Sequence, residues 1–96
     1  MKDLQAIQTK LEPVFRKYQV GRVLLFGSYA KGVAGETSDV DLCVDSGLRG
    51  LEFVGLTEAV REALRKDVDV LDVSHIEEGS QIDREIRETG VVIYER

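Results

Sequence analysis

The chain has one cysteine, one proline, one methionine and no tryptophan, and only six of its 96 residues are aromatic. A lone Cys43 excludes an internal disulfide, so a reducing, cytoplasmic setting is expected. No block of lysine or arginine is present, and the net charge is −5, which argues against a protein that grips long nucleic acid through its phosphates. A small anionic ligand stays open, because a bound divalent cation reverses the local sign. No apolar run has the length of a membrane span, and the opening Met1-Lys2-Asp3-Leu4-Gln5 has no signal-peptide core. What is present is the ordinary make-up of a folded domain, with 43% hydrophobic and 32% charged residues. Ninety-six residues supply one modest core, so residues 1–96 are expected to form a single domain.

Leu4, Ile7, Leu11, Val14, Phe15 and Tyr18 recur at helical spacing and predict an amphipathic helix from about Asp3 to Tyr18. Pro13 is expected to kink or break it, and Gly21 to end it. Arg22–Phe26 reads as a strand, Gly32–Ser38 as a loop, and Asp39 or Val40 through Asp45 as a second strand. Leu51–Leu64 carries a second helical stripe, Asp67–Val73 a third strand, Gln81–Glu88 a weaker helix and Val91–Tyr94 a final strand. This order predicts a small α/β (α+β) domain, a sheet of about four strands with helices packed on one face.

The chemistry concentrates between residues 27 and 41. Gly27-Ser28-Tyr29-Ala30-Lys31-Gly32 forms a glycine-flanked turn between apolar runs, and Ser38-Asp39-Val40-Asp41 follows. Residues two apart on a strand share a face, so Asp39 and Asp41 point the same way, about 6.6 Å apart at a rise of about 3.3 Å per residue. Asp69 is the best-placed third carboxylate, with Asp67 the alternative if the register slips by two. Hard cations such as Mg²⁺ take a few carboxylates plus phosphate oxygens and water. A pair of such ions about 3.5–4 Å apart activates a hydroxyl and neutralises a leaving pyrophosphate. Gly27 allows close backbone approach to a phosphate, which the following amides and the Ser28 hydroxyl would hold.

Simpler motifs fail. Gly27 and Gly32 have Walker-like spacing, but Val33-Ala34 stands where a P-loop has Lys-Ser/Thr. No dinucleotide-binding glycine pattern occurs, and Leu42-Cys43-Val44 is too strand-like for a calcium loop after Asp39 and Asp41. Outside the acidic cluster the readings are modest: His75 a surface residue, Cys43 a small packing residue, Tyr29 either a base-stacking ring or helix packing. Cys43, Leu71 and Val73 share parity with Asp41 and Asp69, so the acidic face also carries apolar surface, where a partner or a second copy could dock.

The Gly27-to-Gly32 turn, Ser38-Asp39-Val40-Asp41-Leu42 and Val68-Asp69-Val70 together resemble the minimal nucleotidyltransferase (MNT) branch of the DNA polymerase β-like nucleotidyltransferases. The resemblance runs from roughly Val20 to Tyr94. It implies a mixed sheet and Mg²⁺-dependent transfer of AMP, or another nucleoside monophosphate, from ATP or NTP to a hydroxyl. By the same resemblance Gly27, Ser28 and Lys31 would hold the triphosphate, Asp39 and Asp41 the metals, and Asp69 would complete the site and help deprotonate the acceptor. Lys31 stands where the family commonly has arginine, which keeps the charge and loses the bidentate grip. Larger members add a helical substrate domain that is missing here, so the acceptor is expected on another chain. The stand-alone form resembles the antitoxin of HEPN/MNT toxin–antitoxin pairs, some of which adenylylate a toxin tyrosine. The alternatives are an antitoxin that acts by contact alone and an adenylyltransferase for a small molecule such as an antibiotic.

Overall fold

The computed structural model describes residues 4–31 and 39–96. Helix α1 (Leu4–Lys17) leads to strand β1 (Arg22–Phe26), the single-turn helix α2 (Ser28–Lys31) and strand β2 (Val40–Asp45). Helix α3 (Leu51–Leu64), strand β3 (Val68–Asp72), a 3₁₀ turn (Val73–His75), helix α4 (Gln81–Thr89) and strand β4 (Val91–Glu95) complete it. The strands form one mixed sheet in the order β3-β2-β1-β4, with β2–β3 parallel and the other pairs antiparallel. This is the expected fold class.

Alternation along the strands separates two faces. Val23, Leu25, Val40, Leu42, Val44 and Val68 are buried in the main core, where α1 contributes Ile7, Leu11 and Phe15 and α3 contributes Leu56 and Val60. Burial of these large aliphatic side chains, each worth about 1.5–3 kcal/mol, supplies the driving force for this layer. Residues of the other parity, Leu24 with Cys43 and Phe26 with Asp41, pair across β1 and β2 and face away from that core. The short α4 packs against β1, its following Gly90 lying beside the Leu24 side chain.

Two expectations about α1 change. The helix runs unbroken through Pro13, which forfeits one backbone hydrogen bond without splitting it. Its end is set by Gln19 rather than Gly21. Gln19 sits in the left-handed region at φ 56°, and the amides of Gln19 and Val20 donate to the carbonyls of Arg16 and Phe15 at 3.2 and 3.0 Å. That is a Schellman motif with its usual apolar contact between the flanking residues, here Val20 and Phe15. Gly21 instead donates to the Asp45 carbonyl at 2.8 Å and ties the start of β1 to the end of β2.

Side chains cap both outer strands. Gln8 Nε2 of α1 donates to the Ile93 carbonyl of β4 at 3.1 Å. Arg61 Nε of α3 donates to the Val68 carbonyl of β3 at 3.3 Å. At the end of β3, Asp72 is buried and accepts from the amide and hydroxyl of both Ser46 and Ser74. Burial raises its pKa, but those hydrogen bonds outweigh it and hold the carboxyl below its ordinary range.

Candidate active site

The parallel β2–β3 register brings the acids together. Asp41 and Asp69 are direct partners across the two strands, whereas Asp67 lies one position before β3; both Asp67 and Asp69 are exposed. Asp39 immediately precedes β2 and is exposed. Asp41 is only partly exposed, and its pKa is pushed up to about 6 by burial, then by the charges of Asp69, Glu85 and Asp39. The carboxylates therefore repel one another around Asp41, the arrangement a divalent cation relieves.

Gly27 closes the other side. It pairs in the chain with β1's last residue, Phe26, which is the cross-strand partner of Asp41. Its φ is 79°, and a Cβ built there would stand 2.7 Å from Asp41 Oδ2. Only glycine serves both the left-handed turn and the space beside that carboxylate. Ser28 begins α2 and Lys31 ends it. Their side chains, and the 32–38 loop with Ser38, lie outside what the structure describes. Among the described residues, no three His, Cys, Asp or Glu side chains close into a metal cage. Mg²⁺ needs no such cage, since it binds through one or two carboxylates with substrate phosphates and water as its other ligands, and the paired Asp41 and Asp69 supply two.

Two residues that sequence reasoning missed come from α4. Thr89 Oγ1 accepts from the Gly27 amide at 3.0 Å and donates to the Glu85 carbonyl at 2.8 Å. Glu85 is the second of the charges that raise Asp41. An open cleft of about 580 Å³ runs along this helix, lined by Gln81, Arg84, Glu85, Glu88 and Thr89. No local motif marks these residues; packing of α4 on β1 delivers them.

The remaining readings resolve simply. Tyr29 is buried in the main core with the Lys66 ammonium over its ring, which is the packing reading, and its hydroxyl has no hydrogen-bond partner among the described residues. Cys43 is 2% exposed and its thiol is pushed up to about 11, chiefly by burial, so it packs rather than reacts. That burial also covers the centre of the face expected to be apolar, and Val73 leaves β3 for the 3₁₀ turn. His75 is exposed.

Comparison with known proteins agrees with this geometry. Residues 9–96 match the family described as polymerase beta, nucleotidyltransferase. A Methanocaldococcus jannaschii relative named as a protein adenylyltransferase is 38% identical over 76 residues, which cover 77% of this chain and 82% of that one. Among solved structures, a minimal nucleotidyltransferase superposes with a TM-score of 0.72 at 26% identity, covering 95% of this chain and 96% of the other. A toxin–antitoxin crystal structure with AMP-PNP gives a TM-score of 0.77 at 22% identity, covering 93% and 73%. The complex of a tri-AMPylated Shewanella oneidensis HEPN toxin with an MNT antitoxin gives 0.73 at 20% identity, covering 98% and 74%. By the extent of the family match and the identity to the archaeal relative, the chain belongs to the polymerase beta nucleotidyltransferase family and is a nucleotidyltransferase.

Proposed function

We propose that this nucleotidyltransferase moves AMP from ATP to a hydroxyl on a partner protein, and that the partner is a HEPN-type toxin which the modification silences. The observation that carries the reading is the pairing of Asp41 with Asp69 beside the Gly27 turn, with Asp39 at the entry to β2. The archaeal relative's name supports a protein acceptor, and the toxin–antitoxin neighbours support the kind of partner.

In this mechanism Asp39, Asp41 and Asp69 hold Mg²⁺, and Gly27, Ser28 and Lys31 hold the triphosphate. Bound Mg²⁺, as one ion or two, neutralises the carboxylates and the phosphate oxygens. Asp69, on the exposed outer strand, takes the proton as the acceptor oxygen bonds to the α-phosphorus. The bond from that phosphorus to the bridging oxygen breaks, and pyrophosphate leaves. The turn and the acids thus hold donor and acceptor in line, and positioning supplies much of the rate.

The test mixes the protein with Mg-ATP and the protein encoded beside it, then weighs that partner by intact mass spectrometry. An added AMP that disappears with Asp39→Asn and Asp41→Asn supports the proposal. Neutralisation without any mass change, surviving both substitutions, overturns it in favour of an antitoxin acting by contact.

A further inference from the structure

Thr89 of α4 makes hydrogen bonds in two directions beside the turn, and the residue whose amide it accepts is 62 positions away in the chain. The hydroxyl donates along its own helix to the Glu85 carbonyl and accepts the Gly27 amide, so both of its capacities are used. Gly27 in turn leaves the space into which the Asp41 carboxylate projects, with 2.7 Å between Oδ2 and the position of a built Cβ. One glycine therefore joins the turn to α4 through its amide and lies against the Asp41 carboxylate through its missing side chain.

We propose that Thr89 is a positioning residue for nucleotide binding: its hydroxyl locks the Gly27 peptide in the orientation that presents the turn to the triphosphate beside Asp41. The inference rests on the nucleotidyl-transfer reading above. It also sharpens the part Gly27 plays in holding the triphosphate: its amide is taken by Thr89, so Gly27 contributes the close approach that its missing side chain allows, and the donors lie further along the turn. Thr89 touches neither phosphate nor acceptor. Serine can replace it, since serine keeps the oxygen; valine cannot, since valine keeps the shape and loses the hydrogen bonds.

The experiment compares wild-type protein, Thr89→Val and Thr89→Ser in two measurements. Native-state hydrogen exchange without nucleotide follows the Gly27 amide against the core amides of Val23 and Leu25. Titration calorimetry with Mg²⁺ and AMP-PNP follows binding. The expected result is faster exchange at Gly27 in Thr89→Val with the core amides unchanged. It is accompanied by about three- to tenfold weaker nucleotide binding, the range one net hydrogen bond allows. Thr89→Ser stays close to wild type in both. Gly27 exchange unchanged in Thr89→Val, or all amides accelerated alike, overturns the proposal. So does equal binding by wild type and Thr89→Val, which leaves the nucleotidyl-transfer reading intact. A wild-type protein that does not bind AMP-PNP overturns both.

Discussion

At the scale of single residues, Asp41 and Asp72 bend the pH dependence of stability in opposite directions. The carboxyl of Asp41 is raised from its ordinary 3.8 to about 6, so the fold disfavours its ionised form. Its contribution is intact below about 4 and is lost as pH rises through about 6. Asp72 is lowered, so its contribution is present above about 4 and is lost as pH falls further. In EDTA, urea unfolding across pH is expected to give greatest stability near pH 4 from these two groups, declining as pH rises towards about 6 and as it falls further below 4. Asp41→Asn should flatten the alkaline limb. Asp72→Asn should cost about 2–3 kcal/mol at pH 7, because one amide group cannot accept all four hydrogen bonds from Ser46 and Ser74. Gly27→Ala combines a left-handed φ with a collision at the Asp41 carboxylate. The expected cost is about 1–2 kcal/mol in unfolding experiments, together with loss of AMP transfer in the mass assay.

At the scale of elements, the strands and long helices were legible because burial imposes periods on sequence. Val23 and Leu25 against Leu24, and Leu42 against Asp41 and Cys43, already state which face is core. The same alternation placed Asp67 and Asp69 alike on the face of Asp41, and only the register of β2 on β3 pairs Asp41 with Asp69. The α1 terminus could not be anticipated, since Gln19 adopts a conformation that sequence rules reserve for glycine or asparagine. Nor could Thr89 and Glu85 be found, because their place at the site follows from how α4 packs, a tertiary contact with no local signature. Gln19→Gly tests the first point. It should stabilise the protein by about 0.5–1 kcal/mol by removing left-handed strain, read as a higher urea midpoint at constant slope.

At the scale of the whole molecule, the proposed function asks a chain of net charge −5 to bind an anion at a site where Asp69, Glu85 and Asp39 act on Asp41. Affinity for ATP should therefore depend steeply on Mg²⁺, and EDTA should abolish binding in calorimetry. Mg²⁺ without nucleotide should raise the melting temperature at pH 8, since a ligand at about 100 times its Kd adds about 2.7 kcal/mol. Asp41→Asn should remove most of that rise. The outer strands bear on association as well. With Gln8 on β4 and Arg61 on β3, a strand added at either edge must first displace a side chain. Arg61→Ala and Gln8→Ala together should increase self-association in sedimentation velocity, whereas the wild type resists edge-to-edge growth.

The hydrogen bond between Gly27 and Thr89 also sets a schedule for biosynthesis. The turn at residue 27 leaves the ribosome well before residue 89, and until α4 has packed on β1 the Thr89 hydroxyl is not in place to accept from the Gly27 amide. A nascent chain stopped after Asp69 carries all three acids and the turn, yet its turn is unfastened. On the Thr89 proposal, competence for nucleotide would arrive late in translation, as a property of the assembled chain rather than of the segment that contains the acids.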